Sequence, residues 1–196
     1  MVQLLDRRED TVVEASLRLD MQPVDLVRAE ESWRRYRDRL LRLSAEHSHW
    51  DWSMKSSDLV FGPYRCVGIV HKRAVQGLMM VGWSGYKGRS LKHRDEPILY
   101  VKYLETAPWN LREFAGDRIR YAGVGTALLR EAVLMSMRLG MHGRLGLHSL
   151  PQAEKFYDRF MDDLGLDWNM ENLRLFELTQ EKALKYIADS FVQEEG

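Results

Sequence analysis

The feature that most constrains this chain is a glycine-containing segment directly before a long apolar helix. Residues 118–132 read RIRYAGVGTALLREA, with Gly123 and Gly125 two positions apart. Apolar residues then recur at helical spacing as far as Leu139, and Gly140 marks the predicted helix end. Glycine permits a positive φ and a close approach to the backbone, while a helix N-terminus presents N–H groups and partial positive charge. This combination predicts an anion site, with phosphate as the usual anion.

Two common phosphate-binding motifs do not fit this segment. The dinucleotide-binding motif needs a third glycine where this chain has Leu128, and it needs the glycines directly after a strand. The P-loop needs Lys and then Ser or Thr after its last glycine, where Thr126 and Ala127 stand. A packing role also stays open, because glycine at position 125 would let the helix approach a neighbouring strand closely.

The composition is that of a globular protein, and it excludes several classes. A chain of 196 residues suits one domain with a substantial core. Its 29 Lys and Arg residues equal its 29 Asp and Glu residues, so the net charge favours neither nucleic acid nor an anionic membrane. The single cysteine, Cys66, excludes an intrachain disulfide, and its apolar surroundings predict a buried thiol. No segment resembles a signal peptide or a membrane helix, so a cytoplasmic protein is expected.

Hydrophobic periodicity predicts a mixed α/β sheet, mostly antiparallel, with helices on both faces. The expected strands are 11–19, 64–71, 75–83, 98–105, 144–150 and 172–178. Helices are expected from Pro23, after the glycines, within SLPQAEKFYDRFM with Ser149 and Gln152 as a capping box, and at the C-terminus. Three successive strands predict an antiparallel meander, and the strand–helix–strand passage 98–147 requires a parallel crossover.

The first helix combines an apolar stripe with a run of basic residues. The stripe consists of Trp33, Tyr36, Leu40 and Leu43. The basic residues are Arg34, Arg35, Arg37 and Arg39, which together with the acidic Glu30, Glu31 and Asp38 predict a solvated face rather than a phosphate site. The following HSHWDW segment contains two histidines without a ligand cluster nearby, so no metal is expected. Its two tryptophans are expected to pack the helix end onto the core.

The pattern Arg120-x-x-Gly123-x-Gly125 resembles the pyrophosphate loop of the GNAT superfamily of acetyl-CoA-dependent N-acetyltransferases. In that family Gln/Arg-x-x-Gly-x-Gly/Ala stands between the fourth strand and a long helix. The order of elements is also similar, and Ala153-x-x-Phe156-Tyr157 resembles the family's Ala-x-x-Leu-Tyr. The specific similarity covers about residues 98–160. This chain departs from the family where Leu150 replaces a frequent Asn, where Met161-Asp162 replace Gly-Phe, and in the longer segment 106–119.

The resemblance implies a single GNAT-like acyltransferase domain over residues 1–196. Its expected parts are an N-terminal strand and helix (11–60), a strand meander (61–105), an acetyl-CoA-binding core (106–160) and a C-terminal strand and helix (161–196). The implied reaction is transfer of an acetyl or short acyl group from acyl-CoA to an amine, by direct attack in a ternary complex. The implied coenzyme-binding residues are Tyr103, Leu104, Arg118, Arg120, Tyr121, Ala122, Gly123, Val124, Gly125, Thr126 and Ser149.

The family's proton-transfer positions correspond to Glu105 and Tyr157. The resemblance implies that Glu105, at the end of the fourth strand, accepts the amine proton directly or through water, and that Tyr157 protonates the leaving thiolate. The alternatives stay open: Glu105 as a solvated strand-end residue, and Tyr157 as part of a core stripe with Ala153, Phe156, Phe160 and Leu164. Ser149 would bond the pantetheine arm or cap the following helix.

The long segment 106–119 joins the strand of Glu105 to the glycines, which predicts that it covers the acceptor. Trp109 and Phe114 would line the acceptor side, and Glu113 and Asp117 would attract a cationic amine; packing of the two aromatics into a core gap is the alternative. The acceptor itself is open between a small-molecule amine and a protein amine, and a homodimer is compatible with the sequence. A non-catalytic acyl-CoA-binding or protein-interaction module on the same fold is the alternative function.

Overall fold

This computed structural model describes residues 1–115 and 118–192, without the side chains of Arg112, Glu113 and residues 190–192. The strands in these ranges are β1 (Val2–Asp6), β2 (Thr11–Arg18), β3 (Tyr64–His71), β4 (Ala74–Gly82), β5 (Leu99–Thr106), β6 (Tyr121–Ala122), β7 (Leu145–Ser149), β8 (Asp162–Asp167) and β9 (Leu173–Leu178). The helices are α1 (Pro23–Arg42), α2 (Trp52–Phe61), α3 (Arg112–Ala115), α4 (Val124–Arg138), α5 (Pro151–Tyr157) and α6 (Gln180–Val192), with a 3₁₀ turn at Pro108–Asn110.

The strands form a mixed, mostly antiparallel sheet, as the sequence predicted. Contacts divide the chain into two compact units, residues 1–80 with 103–128 and residues 81–102 with 129–196. The first unit contains the order β6-β1-β2-β3-β4-β5, and in it β1 pairs antiparallel with β2 and with β6. The second contains β5-β7-β9-β8, where β9 pairs antiparallel with both neighbours. Strands β4 and β5 and helix α4 contribute residues to both units.

The parallel crossover is confirmed in the second unit. Strand β5 pairs parallel with β7 from Leu99↔Leu145 to Val101↔Leu147. Strand β7 stays paired with β9 as far as Ser149↔Arg174. A strand, a helix and a parallel strand require this long connection, which α4 provides.

The first unit has its own hydrophobic core, which holds α1 and α2 against the sheet. Its fully or nearly fully buried members are Met21, Leu26, Ala29, Trp33, Trp52, Cys66, Leu78, Met80 and Ala107. The Cys66 thiol is buried, as predicted, and burial raises its pKa. On β4, a Cβ on Gly77 would lie 2.6 Å from Val124 Cγ1 and 3.1 Å from Leu128 Cδ1, so glycine here allows α4 to lie close to the strand.

The ends of the two long helices follow the sequence signals. Helix α1 begins at Pro23, and the Asp25 carboxylate accepts the backbone N–H of Gln22 at 2.9 Å. Helix α4 begins directly after Gly123, and Gly140, with φ +75°, follows its last turn.

Several expectations for the remaining elements were wrong. The sequence did not predict β1, α2 or β8. Helix α5 ends at Tyr157, so Phe160 and Leu164 do not continue its stripe, and Leu164 lies in β8. The predicted capping box is absent from α5, because the N-cap is Leu150 and the Ser149 hydroxyl donates to the Leu150 carbonyl oxygen at 2.9 Å. Within residues 1–115 and 118–192, each helix is too short or too polar to cross a membrane.

Candidate active site

The glycine segment forms a tight entry into α4. Strand β6 pairs with β1 through Leu5↔Ala122 and Asp6↔Tyr121, and the chain then turns at Gly123, which has φ +90°. Ala127 N donates to the Gly123 carbonyl oxygen at 2.8 Å, which starts the helical hydrogen bonds. A side chain at Gly123 would be strained by this backbone conformation, although a Cβ there would meet nothing within 4 Å. The helix entrance is therefore open on this side.

Gly125 is not needed for close packing. A Cβ built on it would lie 3.8 Å from Thr106 Cγ2 and 4.0 Å from Leu104 Cδ2, which are ordinary contacts. The glycine that packing requires is Gly77, on the facing strand. Close packing therefore does not require glycine at position 125. An anion bound at the helix N-terminus would still need a small residue there.

The basic residues before the glycines differ in what they contact. The Arg120 guanidinium pairs with the buried Asp6 carboxylate, with Nη2 and Oδ2 3.0 Å apart, and lies over the Tyr121 ring. Burial alone would raise the pKa of Asp6, but the Arg8 N–H and the Arg120 charge lower it below its usual value. Arg118 is exposed. Arg120 therefore helps to hold β6 against β1, and its predicted contact with the coenzyme stays a prediction.

Glu105 lies inside a buried cluster of charged and aromatic side chains, not at a solvated strand end. Its side chain is 1% exposed. Oε1 accepts a hydrogen bond from Arg37 Nη1 at 2.6 Å, and Oε2 accepts one from Trp52 Nε1 at 2.6 Å. The other side of the Arg37 guanidinium donates to Glu30, through Nε at 2.9 Å and Nη2 at 2.8 Å. We name Glu30, Arg37, His47, Trp52 and Glu105 the buried ionic cluster.

The buried ionic cluster contains two carboxylates for one guanidinium. Burial raises the pKa of Glu105 to about 6, although the Arg37 charge and the hydrogen bonds from Arg37 and Trp52 oppose this shift. His47 Nε2 lies 3.7 Å from Glu105 Oε1, but burial, with the Arg37 charge, lowers the pKa of His47 to about 4. The imidazole is therefore neutral at pH 7, and the cluster has a net negative charge when both carboxylates are ionised.

The expectation of a solvated arginine face on α1 was wrong for two residues. Glu30 is buried and the Arg37 side chain is 11% exposed, because both lie on the apolar side of the helix. A sequence signal existed: Glu30, Trp33, Arg37 and Leu40 are spaced by three, four and three residues, which places all four on one face.

The start of the segment 106–119, as far as Asn110, is held in place by Gln76 of β4. The Gln76 side-chain oxygen accepts the Trp109 indole N–H at 2.8 Å, and the Gln76 carbonyl oxygen accepts Ala107 N at 2.8 Å. Asn110, a residue that the sequence did not single out, donates to Gln76 and accepts Tyr121 N at 2.9 Å. These bonds hold residues 107–110 against β4 and connect them to Tyr121.

Trp109 and Phe114 both pack against Tyr36 of α1. Their ring centroids lie 5.5 Å and 5.3 Å from that of Tyr36, in edge-to-face arrangements. The Arg39 guanidinium lies over Phe114 and donates to its carbonyl oxygen. These contacts favour the packing alternative for the two aromatics. Asp117 and the side chain of Glu113, which the sequence predicted to attract the amine, lie outside the described part of the chain.

The coenzyme-binding residues predicted in the first unit run along β5, β6 and the start of α4. Tyr103, Leu104, Ala122 and Thr126 are partly buried, and Tyr121 and Val124 are buried. Two predicted residues belong to the second unit: Ser149, predicted to bind the coenzyme, and Tyr157, predicted to donate a proton. Tyr157 packs among Phe156, Phe160 and Phe176, and burial raises its pKa. The phenol therefore stays protonated at neutral pH.

The second unit also contains a hydrogen-bonded chain around His148, a residue for which the sequence predicts no role. His148 Nδ1 lies 2.8 Å from the Tyr100 hydroxyl, and Nε2 lies 3.0 Å from Asp167 Oδ2. Arg89 Nη1 donates to the same Asp167 oxygen at 2.5 Å. Beside it is a cavity of about 340 Å³, lined by Arg89, Ser90, Leu91, Leu164, Gly165, Leu166, Asp167, Trp168, Asn169 and Leu175. Among the described residues, no group of His, Cys, Asp and Glu is arranged to hold a metal ion.

Comparison with known proteins gave matches in structure alone. No protein-family model matches the chain. No curated protein matches its sequence. A GNAT-family protein from Desulfovibrio desulfuricans is similar, with a TM-score of 0.57, 14% identity, and coverage of 85% of this chain and 99% of that chain.

Two further similar structures contain coenzyme A. The PaiA N-acetyltransferase from Thermoplasma acidophilum has a TM-score of 0.54 at 11% identity, covering 85% of this chain and 99% of that chain. The aminoglycoside acetyltransferase AAC(6')-Ib, with coenzyme A and kanamycin, has a TM-score of 0.56 at 14% identity, covering 88% and 98%. The chain therefore has the GNAT fold, as the sequence predicted.

Proposed function

We propose that this chain transfers an acetyl or short acyl group from acyl-CoA to an amine. The observation that carries the proposal is the helix entrance at Gly123, which combines positive φ, an open side and a helix N-terminus within a GNAT fold. The similar structures with bound coenzyme A support acetyl-CoA as the co-substrate. The backbone N–H groups of Gly123, Val124 and Gly125 would hold the pyrophosphate, as the resemblance implies.

Acetyl-CoA would supply the thioester, and this chain's residues would position the partners and move protons. Tyr157 would donate a proton to the leaving thiolate, as the resemblance implies; its phenol is protonated at neutral pH, but burial raises its pKa and so makes it a weaker acid. Glu105 is enclosed by Arg37 and Trp52, so a proton would reach it through water or His47 rather than from the amine directly. Above a pH of about 6 its carboxylate is ionised and able to accept that proton.

The remaining predictions belong to the same proposal. They are the single domain over residues 1–196 with its core at 106–160, and the pantetheine contacts of Tyr103, Leu104 and Ser149. An acceptor side at Trp109 and Phe114 is also proposed, but their packing on Tyr36 favours the structural role for these two residues. The acceptor is an amine on a small molecule or a protein. That AAC(6')-Ib binds kanamycin supports a small-molecule acceptor, although identity to this chain is only 14%.

A non-catalytic acyl-CoA-binding module is the second candidate. The observation that favours it is Glu105, whose carboxylate is already occupied by hydrogen bonds from Arg37 and Trp52. The two candidates predict the same coenzyme binding and differ in turnover.

The test is incubation with acetyl-CoA and a panel of amines, with detection of the free coenzyme thiol. Thiol release that depends on both the amine and the enzyme is the expected result. Tight coenzyme binding without amine-dependent thiol release, from aliphatic amines, aminoglycosides or lysine peptides, would instead identify a binding module.

A further inference from the structure

Trp50 and Tyr103 form two walls around the ammonium group of Lys55. The Lys55 Nζ lies 3.7 Å from the centroid of the Tyr103 ring and 4.7 Å from that of the Trp50 ring. The two rings lie 5.3 Å apart with an interplanar angle of 71°, so their faces are not parallel. Both distances to the ammonium lie within the range of about 6 Å at which a cation is attracted to an aromatic face. We name Trp50 and Tyr103 the ammonium cage.

The ammonium cage lies next to the buried ionic cluster. Tyr103 and Glu105 are two positions apart on β5, so their side chains lie on the same face of the strand. Trp52 connects the two groups, because its ring lies 6.3 Å from that of Tyr103 and its indole N–H binds Glu105. His47 also reaches the cage, with its ring 6.1 Å from that of Trp50. A cation in the cage is thus near a cluster that carries excess negative charge.

The position of Lys55 is unfavourable for the helix that contains it. Helix α2 starts at Trp52 after the N-cap Asp51, so Lys55 stands at the end of the first turn. Cations are disfavoured in this turn, where the helix dipole is positive. The contact with the two rings is one that favours this position, and the side chain is long and flexible.

We propose that the ammonium cage recognises the charged head of an aliphatic amine acceptor, and that Lys55 occupies it as an internal substitute until the acceptor binds. The inference rests on the proposed function, since it names the class of acceptor. A primary alkylammonium, such as a lysine side chain or the end of a polyamine, has the shape and charge that Lys55 presents there. Aromatic amines, which are uncharged at neutral pH, lack the attraction to the ring faces.

Binding of n-butylammonium in the absence of any acyl donor tests this inference. The NMR signals of the Tyr103 ring protons report on the cage in the wild type and in every variant. A saturable shift with n-butylammonium, which neither n-butanol nor an equal concentration of sodium chloride produces, is expected. Lys55→Met vacates the cage while keeping an unbranched side chain, and it should tighten n-butylammonium binding about two- to fivefold.

Control variants separate the cage from general charge effects. Lys185→Met removes the same charge from an exposed position on α6 and should leave the affinity unchanged. Trp50→Leu removes one wall and should weaken binding, and Trp50→Phe, which keeps an aromatic ring, should weaken it less. If Trp50→Leu does not fold, the comparison of Trp50→Phe with the wild type serves the same purpose.

The inference and the proposed function can fail separately. The inference is overturned if n-butylammonium produces no saturable shift in either the wild type or Lys55→Met, even where the enzyme acetylates amines. Equal affinity in Lys55→Met and the wild type overturns the substitute role of Lys55. Ammonium binding at Tyr103 without any amine-dependent thiol release supports the cage and refutes the transferase.

Discussion

Replacing Arg37 by Met should strongly destabilise the fold, because this guanidinium is the shared cation of two buried carboxylates. In the native protein Arg37 binds Glu30 through two nitrogens and Glu105 through Nη1 at 2.6 Å. Removing one partner of a buried ion pair costs about 3–5 kcal/mol, because the remaining charge is buried without compensation. We expect a loss of this size at about pH 8 for Arg37→Met, with little change for Arg34→Met on the exposed side of the same helix.

The loss should depend on pH in a defined direction. The pKa of Glu105 is raised from 4.5 to about 6 in the folded state, so the folded protein binds this proton more tightly than the unfolded chain. Stability from this group therefore falls as pH rises from about 4.5 to about 6. Without Arg37 the pKa of Glu105 should rise further, and the fall should continue to higher pH. The deficit of Arg37→Met is thus smaller at about pH 5 than at about pH 8.

Urea unfolding of the wild type, Arg37→Met and Arg34→Met at both pH values measures these effects. A deficit for Arg37→Met below about 1 kcal/mol, the range of an exposed ion pair, would refute the description of a buried ionic cluster. A deficit of full size that does not change with pH would refute the assignment of its pH dependence to Glu105.

Three further predictions concern residues with separate roles. Tyr157→Phe should lower kcat by roughly 10²–10⁴ and leave coenzyme affinity nearly unchanged, as steady-state kinetics with calorimetry can measure; full activity would return Tyr157 to a packing role. Trp109→Ala should cost stability, by about 2–4 kcal/mol, because it removes the contacts with Tyr36 and Gln76; a raised acceptor KM at unchanged melting temperature would instead support a lid. Gly123→Ala should cost about 1–2 kcal/mol in chemical denaturation, because φ is +90° there, and an unchanged midpoint would contradict this strain.

The fold was predictable because its main signals are local. The Arg120-x-x-Gly123-x-Gly125 pattern and the helix after it specify a backbone conformation that few other residues permit. The parallel pairing of β5 with β7 follows from a strand, a helix and a strand in succession. These inferences need no knowledge of which distant side chains meet.

The elements that escaped prediction have weak hydrophobic patterns. Strand β8, DDLGLD, has three aspartates and a glycine, and its leucines Leu164 and Leu166 are partly exposed at the sheet edge. Strand β1, VQLLD, is short and gains its stability from pairing with β2 and β6. Such strands are stabilised by neighbouring strands rather than by their own composition.

The surroundings of Glu105 were not predictable from the usual assumption that charged residues are exposed. Arg37 lies 68 positions from Glu105 in the sequence, and only the fold brings the two together. The buried arginine is compensated by the two carboxylates that accept its hydrogen bonds, and the Trp52 indole N–H satisfies an oxygen of Glu105. The same dependence on tertiary contacts explains why Lys55 and its two aromatic neighbours had no signal in the sequence.

Titration of coenzyme A into the wild type, Gly125→Ala and Gly125→Val tests the central claim most directly. A Cβ at position 125 would have only ordinary contacts, with Thr106 at 3.8 Å, so both variants should fold. We predict that the wild type binds coenzyme A, that Gly125→Ala retains binding, and that Gly125→Val loses it, because the larger side chain occupies the space of the pyrophosphate at the helix N-terminus. Equal affinity of folded Gly125→Val and the wild type, or no binding by the wild type, would contradict the claim that this loop binds acyl-CoA.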